Sequence, residues 1–214
     1  MGNRPPGIGS LIIVILAALP LLGCNSIAVG TGAGAAVASA AAEERGLSGV
    51  VTDLTISATI SKLWLEHDAD LITELDATVK EGRVLLTGIV RTQKKRVEAV
   101  RLVWRARGVK SVINEIEVSN AGGITTYARD SWITTQLVSR LSLDLHIKNI
   151  NYSIETVNST VYVMGIAQNK AELERVTNHA RQVRYVRRVV NHARIKTAPK
   201  EKPPGQPKGK KGTS

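Results

Sequence analysis

Apolar residues recur at every fourth position in two stretches, Ile56/Ile60/Trp64 and Ile133/Leu137/Leu141, which places each set on one stripe of a helix. Behind each stripe the period drops to two. Leu75, Ala77 and Val79 alternate with polar residues, and Val84 and Leu86 follow across Glu81-Gly82. Tyr152, Ile154 and Thr156 repeat the pattern, with Val161 and Val163 across Asn158-Ser159. Each pair of runs reads as a hairpin closed by a short turn. Gly88 and Gly165 end the second strand, where a bulge or the close approach of a helix is expected. A second helix follows, carrying Ala99, Val103 and Ala106 or Val176, Ala180 and Val183, and then a last strand over residues 109–118 or 186–195. Asp53 and Asp130 stand just ahead of the two stripes and are expected as N-caps, their carboxylates accepting from the free N–H groups of the next turn.

One order of elements therefore occurs twice. Shifted by 77 residues, the chain aligns with itself without a gap over residues 53–195: Val84 falls on Val161, Gly88-Ile89 on Gly165-Ile166, Arg107 on Arg184 and Asn114 on Asn191. Each repeat spans about 65 residues, small but within the range that folds alone. The expected fold is α+β: two tandem α-β-β-α-β repeats, each with two helices packed on one face of a three-stranded mixed sheet.

The flanking segments have other chemistry. Arg4 and the terminal amine precede an apolar run over residues 11–19 that extends to Leu22, the layout of a secretory signal. It ends in Leu21-Leu22-Gly23-Cys24, which resembles the bacterial lipobox. That resemblance implies a signal peptide over residues 1–23 and a covalent lipid on Cys24. Asn25 is not the Asp that retains such lipoproteins at the inner membrane of enteric bacteria, which favours the outer membrane. Residues 24–49 are a Gly/Ala-rich tether. Residues 197–214, with five Lys and four Pro, are expected to be disordered. The repeats are assigned to residues 50–119 and 127–196. Cys24 is the single cysteine of the chain, which excludes an internal disulfide framework and a thiolate zinc site.

Within the repeats, Gly-Arg-Val-Leu-Leu-Thr-Gly at 82–88 and Arg-Gly-Val-Lys-Ser-Val-Ile-Asn at 107–114 resemble a BON domain. The second repeat matches through Val161-Tyr162-Val163-Met164-Gly165 and Val186-Arg187-Arg188-Val189-Val190-Asn191, and departs at Ser159 and Tyr185, where the family usually has Gly. Lipobox, tether and two such units together are similar to the dual-BON outer-membrane lipoproteins, a match strengthened by Ser131-Trp132-Ile133-Thr134-Thr135. The resemblance implies a protein without enzymatic activity, lipid-anchored at the outer membrane and facing the periplasm. It further implies binding of anionic phospholipid, support of outer-membrane integrity and gathering at division sites.

Charge narrows where such binding would occur. The chain carries 29 Lys plus Arg against 18 Asp plus Glu, net +11, and residues 129–214 account for +10 of it. An exported protein does not meet genomic DNA, so nucleic acid is set aside and an anionic membrane surface is favoured. Trp132 lies roughly 100° from Ile133 on the helical wheel, with Arg129, Gln136 and Arg140 along its flank. The first repeat has Thr52, Thr55, Thr59 and Leu63 at those positions. An amphipathic indole among guanidinium groups suits the headgroup–acyl boundary. Arg129, Trp132, Gln136 and Arg140 are therefore the expected phospholipid-binding residues, and the resemblance places the family's Trp at Trp132. Packing of Trp132 between the repeats, against Trp104, is the other expectation and does not exclude the first. Arg181, Arg184, Arg187 and Arg188 are open to two readings, a second lipid contact and, the favoured one, a solvated basic face.

Catalytic chemistry finds no support. His67, His146, His179 and His192 are scattered without ligand spacing, Asp68 and Asp70 sit in a loop beside an acidic surface, and no nucleophile or phosphate-loop motif is present. No catalytic residue, metal ligand or cofactor is assigned. The alternative to lipid binding is a lipid-tethered adaptor that docks onto an envelope protein partner.

Overall fold

A computed structural model describes residues 43, 46–119 and 124–197. The signal segment, Cys24, the tether up to residue 42 and the tail from residue 198 lie outside them. In the first repeat, helix α1 (Gly46–His67) and a single turn α2 (Asp70–Glu74) precede strands β1 (Leu75–Lys80) and β2 (Arg83–Val90). Helix α3 (Gln93–Val103) and strands β3 (Ser111–Asn114) and β4 (Glu117–Val118) complete it. The second repeat runs through α4 (Ile124–Leu143), a 3-10 turn (Asn149–Asn151), β5 (Tyr152–Val157), β6 (Thr160–Ala167), α5 (Lys170–Arg181), β7 (Arg188–Asn191) and β8 (Arg194–Ile195).

Both sheets are mixed. β1 pairs antiparallel with β2 from Leu75↔Gly88 to Lys80↔Arg83, and β2 pairs parallel with β3 and β4. β5, β6, β7 and β8 repeat that arrangement. The expected helical stripes are fully buried, with Ile56, Ile60 and Trp64 in one core and Ile133, Leu137 and Leu141 in the other. The two-layer α+β fold expected from the periodicity is the observed one.

Four local expectations are corrected. Both first helices begin earlier than the stripe requires, at Gly46 and Ile124, so α1 takes in residues assigned to the tether. Asp53 and Asp130 consequently lie inside helices and are not N-caps. Their carboxylates instead reach the hairpin turn: Asp53 accepts from the N–H groups of Glu81 (2.7 Å) and Gly82 (2.8 Å), and Asp130 from those of Asn158 (2.7 Å) and Ser159 (2.8 Å). All four turn residues have positive φ, so the two N–H groups converge where no strand partner is available, and the carboxylate supplies one. The last strand is broken in each repeat, at 115–116 and 192–193, where Asn114 accepts from Ile116 N–H and Asn191 from Ala193 N–H. Asp68 and Asp70, read as a loop beside an acidic surface, converge with Glu74 on the Lys95 ammonium at 3.3, 2.9 and 3.4 Å, which raises the pKa of Lys95.

The faces of the two sheets not covered by helices meet. Leu85, Tyr162 and Met164 are buried together with Ile113, Val157 and Val190 packed around them. Equivalent residues touch each other there: Leu85 and Tyr162 occupy the same place in their repeats, Thr78 Oγ1 donates to Glu155 Oε1 (3.1 Å), and His192 Nε2 lies 3.0 Å from Glu115 Oε1. Off this line the contacts come in matched pairs, Glu81 with Arg194 and Asn158 with Glu117. Each residue of one pair stands at the position of a residue in the other, as a two-fold axis between the repeats demands.

Candidate functional site

Where α5 ends, Gln182 caps the helix and Val183 turns into the core, so the chain must reverse over residues 184–187. Tyr185 makes that reversal at φ +71, where the first repeat has Gly108 at φ +99. A bulky residue in this left-handed region costs about 1–2 kcal/mol and persists only where its surroundings hold it. Here Arg187 N–H is tied to Ser159 carbonyl at 2.9 Å, and the phenol ring is carried to the flank of α4.

Trp132 meets Tyr185 edge to face, with centroids 5.7 Å apart and planes at 66°. The guanidinium carbons of Arg129 and Arg184 lie 5.9 and 4.6 Å from the centroid of the same ring. Such aromatic and cation–π contacts contribute about 0.5–1.5 kcal/mol each. Neither Arg129 nor Arg184 has an acidic partner among the described residues, so their charge faces outward. Trp132 remains 42 % exposed. The expected packing against Trp104 does not occur, since the ring partner of Trp132 is Tyr185.

The four expected residues share one row of α4. Arg129, Trp132, Gln136 and Arg140 are spaced three, four and four apart, and Leu143 continues the row, about 20 Å in all. The structure gathers Arg129 and Trp132 around Tyr185, while Arg140 stands apart, its Nη1 donating to Gln182 carbonyl at 3.4 Å. Arg140 opens onto a shallow cavity of about 560 Å³ bounded by Leu143, Asp144, Leu145, His146 and His179. Leu143 and Leu145 form its lips, 82 % and 96 % exposed. Asp144 accepts from His179 Nε2 (2.8 Å), His146 N–H (3.0 Å) and Arg175 (2.7 Å), and these partners, His179 foremost, hold its carboxyl well below the usual carboxylate range. Two of the histidines read as scattered, His146 and His179, thus share one carboxylate.

Tyr185 is not assigned to the site from the sequence, and Arg184 is read there as part of a basic face with solvation favoured over lipid contact. The signal was present, an aromatic residue where the other repeat has Gly108, but its direction depends on a backbone angle. The first repeat has nothing comparable at these positions on α1. Thr52, Thr55 and Thr59 turn their hydroxyls onto the carbonyls of Ser48, Val51 and Thr55. Among the described residues no group of three or more His, Cys, Asp or Glu is arranged to hold a metal, and no helix is long and apolar enough to cross a membrane.

Comparison with known proteins identifies the repeat. The BON domain model matches residues 52–120 and 129–197. An uncharacterized protein from the gshII 5' region of Anaplasma centrale is 38 % identical over 147 residues, covering 68 % of this chain and 96 % of that protein. The outer membrane lipoprotein DolP of Haemophilus influenzae is 30 % identical over 164 residues, covering 75 % of this chain and 83 % of its own. The osmotically-inducible protein Y of Escherichia coli is 27 % identical over 146 residues, covering 67 % and 73 %. With both repeats matched at the positions where the fold repeats, the chain belongs to the BON-domain family, with two BON domains in tandem.

Proposed function

We propose that this is a lipid-anchored outer-membrane protein, tethered through Cys24 and facing the periplasm, whose second BON domain binds anionic phospholipid and helps maintain the outer membrane. The relative named as an outer membrane lipoprotein supports the location, and the Leu-Leu-Gly-Cys segment supports the anchor. One observation carries the binding assignment: an exposed indole packs edge to face on a strained Tyr185 whose ring also carries two guanidinium groups, and no carboxylate among the described residues neutralises them. Near an anionic leaflet each such cation is worth about 1 kcal/mol, and the indole suits the boundary between headgroups and acyl chains. Septal gathering belongs to this proposal as a consequence of lipid preference.

Co-sedimentation of a soluble form lacking residues 1–24 tests it. Vesicles containing phosphatidylglycerol should retain the protein and phosphatidylcholine vesicles should not. Trp132→Glu should weaken retention roughly tenfold, the equivalent of about 1.4 kcal/mol. Equal retention on both vesicle types, or no loss in the variant, overturns the site.

The adaptor reading has its own observation. Leu47, Val51, Leu54 and Leu65 form an exposed row on α1, and no exposed residue between positions 47 and 61 is charged. Such a surface suits a protein face better than a headgroup layer. Cross-linking in intact cells that captures one stoichiometric partner, lost in Leu54→Lys but kept in Trp132→Glu, favours it.

A further inference from the structure

The turn that ends α3 in the first repeat carries one aromatic residue among three cations, as does the turn of the second repeat proposed above to contact lipid, with the aromatic residue at another position. Trp104 caps α3 and is 54 % exposed, and Arg105, Arg107 and Lys110 beside it are all exposed. None of these three cations has an acidic partner or a side-chain hydrogen bond among the described residues. The carboxylates that flank the turn in sequence are engaged elsewhere, Glu98 by Arg101 and by His67 at 3.2 Å and Glu115 by His192 at 3.0 Å. The turn is also rigid. Arg105 and Ala106 N–H groups close onto Leu102 and Val103 carbonyls at 3.0 Å, Ala106 is buried, and Lys110 N–H reaches Gly82 carbonyl at 2.8 Å. Arg107 and Lys110 stand at the positions of Arg184 and Arg187, so two of the cations are common to both repeats, while Trp104 stands where the second has Arg181.

We propose that Trp104, Arg105, Arg107 and Lys110 form a second contact for an anionic phospholipid surface, separate from the α4 site. The separation follows from the pairing of the repeats. Each basic turn is tied to the hairpin turn of its own repeat, through Lys110–Gly82 and Arg187–Ser159. Glu81 in one hairpin turn meets Arg194 at the far end of the other sheet, and Asn158 meets Glu117 in the same manner. The two turns therefore lie at opposite ends of the paired sheets, which makes them separate contacts. An exposed Trp on a hydrogen-bonded turn amid these cations fits a headgroup layer, where the cations meet phosphate groups and the indole enters the boundary.

The experiment uses the full chain carrying Trp132→Glu, which removes the α4 indole and leaves Trp104 as the exposed tryptophan, Trp64 being only 2 % exposed. Vesicles of phosphatidylglycerol and brominated phosphatidylcholine should quench at least a third of the tryptophan emission, and neutral brominated vesicles should not. The quenching should vanish in the Trp132→Glu/Trp104→Phe double variant and fall at least threefold with Arg105→Gln and Arg107→Gln. Absence of quenching by the anionic vesicles overturns the proposal, as does quenching that persists without Trp104. An acidic protein as the true occupant gives the same absence of quenching. Failure of the α4 reading looks different, because unimpaired vesicle retention by Trp132→Glu with Trp104 quenched overturns that site and supports this one.

Discussion

Asp53 and Asp130 show how much one side chain can do at a distance. Each carboxylate accepts two backbone N–H groups from a turn 28 and 29 residues away, locking helix to hairpin. Hydrogen bonds to a charged group contribute about 1.5–3 kcal/mol, and removal leaves buried donors without a partner. Asp130→Ala should therefore lower stability by about 2–4 kcal/mol in denaturant unfolding, with Asp130→Asn retaining part of it. Tyr185 poses the opposite case. Glycine there relieves a strain of about 1–2 kcal/mol but loses ring contacts of similar size. Tyr185→Gly should change stability by less than about 1 kcal/mol while weakening retention on phosphatidylglycerol vesicles several-fold, so stability and binding separate at this position. A large stability loss with binding intact would show the ring to be structural. Neither role was open to the sequence alone. An Asp before an apolar helical stripe looks like a cap whether or not the helix extends behind it, and a Tyr at a turn has no direction until its φ is known.

The elements themselves were legible for a local reason. A stripe of period four and an alternation of period two are properties of neighbouring residues, and burial of Ile56, Ile60 and Trp64 or Val84 and Leu86 followed from them. Gly88 and Gly165, expected to end β2 and β6, lie inside them two residues before each strand's end, and the structure shows the close approach that was the other expectation there. A Cβ on Gly88 would stand 2.2 Å from Glu74 carbonyl, and one on Gly165 would stand 2.2 Å from Asn151 carbonyl. In each repeat the chain entering the first strand passes over the glycine, at φ +123 and +148. Gly88→Ala and Gly165→Ala should each cost on the order of 3 kcal/mol or more and lower the thermal midpoint by 10 °C or thereabouts. An unchanged midpoint in either variant would contradict this packing. The break in the last strand escaped the pattern, because the apolar run continues through 109–118 while Asn114 bends the backbone.

At the scale of the whole molecule the sheet-to-sheet junction sets the behaviour. Glu155 lies in it beside Thr78 and faces Asp76, and burial, followed by the Asp76 charge, pushes its carboxyl up to about 7. Burial raises the pKa of Asp76 as well. Also charged at the junction are Arg83, whose Nη2 donates to His192 carbonyl at 3.0 Å, Glu117 and Arg188 by Tyr162, and the His192–Glu115 and Glu81–Arg194 pairs. For an acid whose folded pKa is raised, the folded state holds the extra proton. Its full contribution is present below the usual Glu range and is lost as pH rises toward 7. Glu155→Gln keeps the contact with Thr78 and removes that loss. The variant should melt several degrees higher than the parent at pH 8 and no higher at pH 4, as scanning calorimetry at the two pH values can measure. Equal shifts at both would place the effect elsewhere.

Hydrophobic period, the 77-residue repeat and the position of charge were sufficient for two α+β units, their cores and the basic second half, because each is a property of residues near one another or of simple counting. The row Arg129, Trp132, Gln136 and Arg140 was legible on the same ground, as one face of one helix. Val84-Leu85-Leu86 and Val161-Tyr162-Val163-Met164 already carried apolar residues on both sides of their strands, a mark of a sheet buried on both faces. They could not name the partner. That Leu85 meets Tyr162, that Asp130 holds a hairpin and that Tyr185 supports Trp132 are contacts between residues 28 to 77 positions apart. Their formation depends on how helices and sheets are brought together, which local pattern does not specify and tertiary packing does.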